Sequence, residues 1–240
     1  FGESHGVGCN LTLQLSLFKY LYKHARVRNL ILEISPSEAY LYNFYLQTGK
    51  EKYLNFNDYA NWKEYRVFWQ ALYKFNKTLK AGEKISVFGV DYDNKRAFLQ
   101  AVGVIFLDGN PRWKDTPVEL HKAIEVLFKA VKIVRTFRTS RPSKALRRIK
   151  KLYRFLKKDL PKHDSAYQTY LGENYWYFRQ IINNSVQEKD DDQARDQKMA
   201  MNVLSILKQY PAKSLGIFGV FHTEKSNLIT NLRTHLGIRK

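Results

Sequence analysis

The chain has 240 residues, 44% of them hydrophobic and 15% aromatic, which excludes an intrinsically disordered polymer and allows one large domain or two small ones. One cysteine, Cys9, rules out an intrachain disulfide, and no run of eighteen apolar residues offers a membrane-spanning helix. The net charge of +19 is unevenly placed: from Arg112 to Lys162 there are seventeen Lys and Arg against four acids, an excess of 13 in one stretch.

The chain begins inside a motif, Gly2-Glu3-Ser4-His5-Gly6, whose Gly2 reads as the turn ending a strand that precedes Phe1. A signal peptide or other upstream segment can therefore lie outside it, and the compartment stays open. Next, Leu11, Leu13, Leu15 and Leu17 alternate as in a strand, while Leu11, Leu15, Phe18 and Leu21 fit a helix. A helix starting near Gly8 is the better reading, because the chain must return to a parallel strand at 29–34, the apolar run Asn29-Leu-Ile-Leu-Glu-Ile34. Tyr65, Phe68, Trp69, Leu72, Phe75 and Leu79 then predict a helix that stops before Gly82. Ile85 to Val90 predicts a buried strand stopped by Asp91, and Asn94 to Leu107 carries Ala97, Phe98, Ala101, Val102, Ile105 and Phe106 on one helical face.

The basic stretch is itself helical. Leu120, Ile124, Leu127, Val131 and Val134 form one apolar stripe, Leu146, Ile149, Tyr153, Leu156 and Leu160 another, with a connection over 136–143. This predicts a helical hairpin near 117–160, inserted between the halves of a sheet. An acidic loop over 186–194 leads to a helix through Met199, Asn202, Val203, Ile206 and Leu207 before Pro211, and Ser214 to Phe221 is the last strand. Strand and helix alternate, so the expected class is α/β: a mostly parallel central sheet, helices on both faces, and the inserted basic hairpin. The expectation is a single domain over 1–240 with a helical insertion at about 112–165.

Ionisable residues fall at the ends of the predicted strands, where open α/β sheets build their sites. The glycines flanking Glu3-Ser4-His5 permit a tight strand-to-helix turn, and the first N–H groups of the following helix favour an anion or an oxyanion. His5 is the natural general base, with Glu3 or Glu33 holding its other nitrogen; the alternative is a capping histidine with Glu3 in solvent. Glu33 interrupts an apolar strand, where an unpaired buried carboxylate costs several kcal/mol by order of magnitude, unless the strand is an edge with Glu33 facing water. Asp91 is either a site acid or a helix N-cap, with Asp93 and Asn94 competing for the cap. His222 ends the last strand, and Arg195 can clamp a carboxylate bidentately, either a structural one such as Glu33 or a substrate's. Cys9 reads as a buried, inert thiol or a nucleophile at a helix start, and His24, His121, His163 and His235 read as surface residues. No P-loop, dinucleotide fingerprint, Gly-x-Ser-x-Gly elbow or zinc-ligand cysteine pair is present, so serine-hydrolase chemistry has no support.

In this order, Gly2-Glu3-Ser4-His5-Gly6, the strand ending in Glu33, Gly89-Val90-Asp91, Arg195-Asp196-Gln197-Lys198-Met199-Ala200-Met201-Asn202 and Gly219-Val220-Phe221-His222 resemble the erythromycin-esterase-like superfamily, which also includes ChaN-like lipoproteins and Tiki-type proteases. The resemblance spans residue 2 to about 228. It implies hydrolysis of an ester or related acyl bond by histidine-activated water: His5 as base, Glu3 and Glu33 as its carboxylate partners, His222 as second histidine, and Arg195 in the same cluster. The single residue between Glu3 and His5 follows the ChaN-like branch; the esterases place two there, and carry a second histidine shortly after the position of His222, where this chain has Glu224 and Lys225. A divalent metal at Glu3, His5 and His222 is thus an open alternative, as is a non-catalytic protein that binds a metal, haem or an anion on the same scaffold. A third expectation concerns the basic stretch over 112–162, as a surface for nucleic acid or an anionic membrane. Substrate identity and oligomeric state are not legible.

Overall fold

The computed structural model describes residues 1–56, 62–108, 115–135, 142–184, 192–224 and 227–236. In chain order the elements are β1 (Gly2–Glu3), α1 (Gly8–Ala25), β2 (Asn29–Leu32), α2 (Pro36–Thr48), α3 (Lys63–Lys77), β3 (Ser86–Gly89), α4 (Lys95–Gly103), α5 (His121–Arg135), α6 (Pro142–Asp159), α7 (Asp164–Leu171), α8 (Tyr175–Asn183), α9 (Asp192–Gln209), β4 (Ser214–Gly219), α10 (Val220–Glu224) and α11 (Asn227–Leu236). They divide into two compact units: Phe1–Tyr92 with Gln187–Lys240, and Asp93–Val186.

The first unit holds the sheet. Its four strands are all parallel, in the order β1-β4-β2-β3. With right-handed crossovers, the steps from β1 to β2 and from β2 to β3 run one way along the sheet and the return from β3 to β4 runs back. That places α1, α2 and α3 on one face and α9 on the other; α3 packs against both α1 and α2, and α9 against α11. Leu30, Ile31, Val87, Phe88 and Ile217 are buried between the layers.

The local chemistry explains the boundaries. Ser35 opens α2 through a reciprocal capping box with Glu38, Pro36 sits in the first turn, and Gly49 closes the helix at φ 69°. This helix escapes a periodicity search because it is buried on nearly every side: Ala39, Tyr40, Leu41, Tyr42, Tyr45 and Leu46 are all in the core. Tyr42 stacks on Trp69 of α3 at 3.7 Å. Asn43 of α2 both donates to the Val87 carbonyl at 2.7 Å and accepts from the Val87 N–H at 2.8 Å, which satisfies the outer edge of β3. A Cβ at Gly89 would fall 2.1 Å from the Ser35 carbonyl oxygen, so only glycine lets β3 end this close to the start of α2.

Three expectations shift. The first strand is not confined to residues before Phe1: Gly2 and Glu3 pair with Phe218 and Gly219, so the turn begins at Ser4. The last strand ends at Gly219, opposite Glu3, where its partner stops, and Phe221 and His222 lie on α10 instead. The segment over 11–21 is helical, as preferred, but its fully buried line is Gln14, Phe18 and Tyr22, while Leu13 is exposed.

The second unit is helical. Asn94 caps α4, accepting from the N–H groups of Arg96 and Ala97. The hairpin expected near 117–160 is formed by α5 and α6, which pack on each other. Leu120, Leu127, Ile149, Leu152 and Leu156 face its core, and the lysines and arginines of α6 from Arg147 on lie outward or at its margin. Residues 136–141 of its connection and 186–191 of the acidic loop lie outside the described residues. Phe106, Tyr167 and Phe178 form an aromatic core, and the buried Tyr153 hydroxyl donates to the Ile182 carbonyl.

Candidate active site

Every strand of the sheet delivers an ionisable group at or just beyond its carboxyl end. β1 ends in Glu3, β2 runs into Glu33, β3 is followed by Asp91, and β4 is followed by His222 on α10. Because Asn94 holds the cap of α4, Asp91 is left to turn toward α9.

There Arg195 gathers the acids. Its Nε and Nη2 donate to the two oxygens of Asp91 at 3.0 and 2.7 Å, a bidentate clamp, and Nη2 also donates to Glu33 Oε1 at 2.7 Å. Those hydrogen bonds to Asp91 raise the guanidinium pKa above its ordinary value against the cost of desolvation, and the charges of Asp91 and Glu33 add to the effect. The arginine is thus the structural clamp of the two readings open to it. The other oxygen of Glu33 accepts from the Gly219 N–H at 2.7 Å. A carboxylate only 8% exposed is thereby satisfied at both oxygens, and Glu33 does not face water from an edge strand.

Two histidine–carboxylate pairs approach this Glu33 from opposite oxygens. In the first, His5 Nδ1 lies 2.9 Å from Glu3 Oε1, and Gln14 of α1 donates to Glu3 Oε2 at 2.6 Å. His5 Nε2 comes within 3.9 Å of Glu33 Oε2, while the imidazole is 66% exposed. In the second pair, His222 Nδ1 lies 2.6 Å from Asp196 Oδ1, and both side chains are buried. His222 Nε2 is 3.3 Å from Glu33 Oε1 and 3.3 Å from Arg195 Nη1. Each ring has a carboxylate beside Nδ1; Nε2 of His5 faces Glu33 and Gly219, and Nε2 of His222 lies between Arg195 and Glu33. One imidazole is exposed and the other is buried.

No protein-family model matches the chain, and no curated protein does. Solved structures do. A Bacillus cereus protein matches over 98% of this chain and 62% of its own, at 16% identity and a TM-score of 0.55. A succinoglycan biosynthesis protein matches over 87% of this chain and 53% of its own, at 15% identity and a TM-score of 0.53. The chain has their fold. An erythromycin esterase mutant in its open conformation is also matched, over 87% of this chain and 57% of its own, at 15% identity and a TM-score of 0.47. This chain spans less than two thirds of each matched protein.

All six residues singled out in the sequence, Glu3, His5, Glu33, Asp91, Arg195 and His222, meet in one continuous network. Sequence reasoning missed three members: Asp196 as the partner of His222, Gln14 as the support of Glu3, and the Gly219 N–H. Asp196 was findable, since it sits in line with Met199, Ala200 and Val203 on the buried face of α9, where a carboxylate needs a partner. As a metal set, Glu3, His5 and His222 do not fit: among the described residues no group of three or more His, Cys, Asp or Glu side chains is arranged to hold a metal ion. The Nε2 that His222 would offer already faces a guanidinium. An anionic ligand is also poorly served, because four carboxylates stand here against one arginine. Cys9 is not buried, as the inert reading expected, but an exposed free thiol in the exposed first turn of α1; His24 and His121 are exposed, His163 is half-buried, and the side chain of His235 lies outside the described set.

Gly219 sets the approach of His5. A Cβ there would fall 2.7 Å from His5 Nε2 and 3.3 Å from Glu33 Oε2. Because His5 is exposed and can swing away, Gly219→Ala is expected to move the imidazole off Glu33 while changing stability by less than about 1 kcal/mol. The His5 ring resonances in an imidazole NMR spectrum, read beside a thermal melt, check both halves of that expectation.

Proposed function

We propose that the sheet-bearing unit is a hydrolase that cleaves an ester or related acyl bond with water activated by His5. The observation that carries the reading is the Glu3–His5 pair: a carboxylate, itself held by Gln14, orients an exposed imidazole through Nδ1, and the reading gives Nε2 the lone pair. Nε2 takes a proton from water, and the oxygen so activated adds to the acyl carbon. The resulting imidazolium is stabilised by Glu3 and, across 3.9 Å, by Glu33. When the tetrahedral intermediate collapses, the carbon–oxygen bond to the leaving group breaks and Nε2–H returns its proton to the departing alkoxide.

Arg195 is committed to Asp91 and Glu33, so it holds the acids in place and does not bind the oxyanion. The start of α1, three residues after His5, has no side-chain cap, and the reading gives the oxyanion to its N–H groups at Gly8 and Cys9, that of Asn10 being taken by the Val7 carbonyl and Glu64 of α3 lying close to Gly8. The fold shared with the matched structures is compatible with this chemistry. Two features weigh against the non-catalytic alternatives on this scaffold. A binding site for an anion would not surround one guanidinium with four carboxylates, and a metal site would not engage His222 through both nitrogens.

The test uses the purified chain, a panel of aryl and alkyl esters of increasing acyl length, and water enriched in oxygen-18. Turnover that places the label in the released acid, with no acyl-protein trapped by mass spectrometry, is the expected result. A folded protein that hydrolyses no member of the panel, or one that accumulates an acyl adduct, overturns the reading.

A further inference from the structure

The turn that carries His5 is held by hydrogen bonds and not by packing. Residues 4–9 are all exposed. Gly6, directly after the histidine, adopts φ 81°, and a Cβ there would meet nothing within 4 Å, so the bend lies in open space. Before the turn, Glu3 is fixed by its pairing with Gly219 in the sheet; after it, α1 is fixed by the buried Phe18 and Tyr22. Between those anchors the backbone passes through a glycine, the residue that restrains it least.

Asn10 grips this segment on both sides of His5. Its side-chain Nδ2 donates to the Ser4 carbonyl at 2.7 Å, and its backbone N–H donates to the Val7 carbonyl at 3.0 Å. The backbone bond closes the first turn of α1 and is open to any residue but proline. The side-chain bond is different, since it reaches back six residues to a carbonyl outside the helix. Capping does not account for it, because the N-cap of α1 is Val7. Stability accounts for little of it, because Ser4 is exposed and water replaces the amide at small net cost. What water does not replace is the geometry. The Ser4 carbonyl belongs to the rigid peptide unit that joins Ser4 to His5, so fixing that plane fixes the point from which the imidazole projects.

We propose that Asn10 is a positioning residue for His5, an inference that rests on the reading of His5 as the base. Asn10 sets the backbone of the turn, and Glu3 then sets the ring through Nδ1. Both restraints trace to one helix, because Gln14, one turn beyond Asn10 on α1, holds Glu3 Oε2. The Asn10 amide does not touch the reacting atoms and acts through the peptide before His5. A misplacement of about 1 Å in a reacting group costs on the order of 10²-fold in rate, so release of the turn is felt in kcat.

The experiment compares the full chain with Asn10→Ala and Asn10→Asp in ester turnover, thermal melts and the ring signals of His5 in an imidazole NMR spectrum, assigned by their loss in His5→Ala. Asn10→Asp keeps the shape, but its carboxylate accepts and does not donate to the Ser4 carbonyl, while a negative charge in the first turn favours the helix. It therefore separates positioning from stability. In both variants kcat is expected to fall about 10- to 100-fold with KM within about twofold of the parent. Tm should fall by no more than about 3 °C in Asn10→Ala and by less in Asn10→Asp, and the His5 signals should move toward those of an unrestrained histidine. Unchanged kcat, a loss confined to KM, or a loss that follows Tm across the pair overturns the inference. If the parent chain itself hydrolyses no ester, the hydrolase reading fails and the ring signals decide alone: signals unmoved in both variants reject Asn10 as the residue that positions His5. Should Asn10→Ala fail to fold, Asn10→Asp is read in its place.

Discussion

Arg195→Met is expected to destabilise the protein by about 3 kcal/mol, because it leaves two carboxylates in one network without their counter-charge. For a unit of this size that corresponds to a fall in Tm of roughly 6–12 °C. The expectation rests on where the pairs sit: the Glu33 side chain is 8% exposed and that of Asp91 21%, and both accept from the same guanidinium. A surface pair such as Arg66–Glu51, with side chains 35% and 52% exposed, contributes far less, on the order of 0–1 kcal/mol. Arg195→Lys keeps the charge but not the fork that engages Asp91 through two nitrogens, and should fall between parent and Arg195→Met. Combining Arg195→Met with Asp91→Asn should recover part of the loss, since one of the stranded charges is gone. Thermal melts of the four proteins form the check. A loss below about 0.5 kcal/mol in Arg195→Met would mean that the cluster is held by backbone geometry alone.

His5→Ala is expected to behave in the opposite way: about 10²–10⁴-fold loss of ester turnover with little change in Tm. The imidazole is 66% exposed, so its removal costs little packing, and Glu3 keeps its hydrogen bond from Gln14. Glu3→Gln should lose less, because the base remains but its orientation and the stabilisation of the imidazolium are weakened. The comparison of kcat with KM separates a base from a binding residue: a loss confined to KM, or full activity in His5→Ala, removes His5 from the chemistry. Together the two substitutions divide the network into a part that holds the fold and a part that reacts.

How far the site was legible in the chain depends on the kind of residue. Glu33 and Asp91 stood out because a charge in or after an apolar run demands a reason. His5 stood out through its glycines. Asp196 stood out only as half of the Arg195-Asp196 pair, not as the partner of His222, because the register of α9 on the sheet is not written locally. Gln14 was hidden for the same reason: Leu11, Leu15, Phe18 and Leu21 suggested the buried face, and the helix instead turned its glutamine inward to meet Glu3. The helix α2 was missed because burial on every side erases the periodicity by which helices are recognised.

The parallel α/β class and the helical hairpin could be read from order and pattern, since apolar periodicity and the placement of glycines are local properties of a chain, and the same pattern singled out six ionisable residues that meet in one network. Whether Arg195 would serve a substrate or the protein, and which of two histidines would stand open, could not. Those depend on which carboxylate reaches which nitrogen across as many as 186 positions of chain, as with Glu33 and Gly219. That is a matter of strand order and helix rotation, which the packing of the whole core selects.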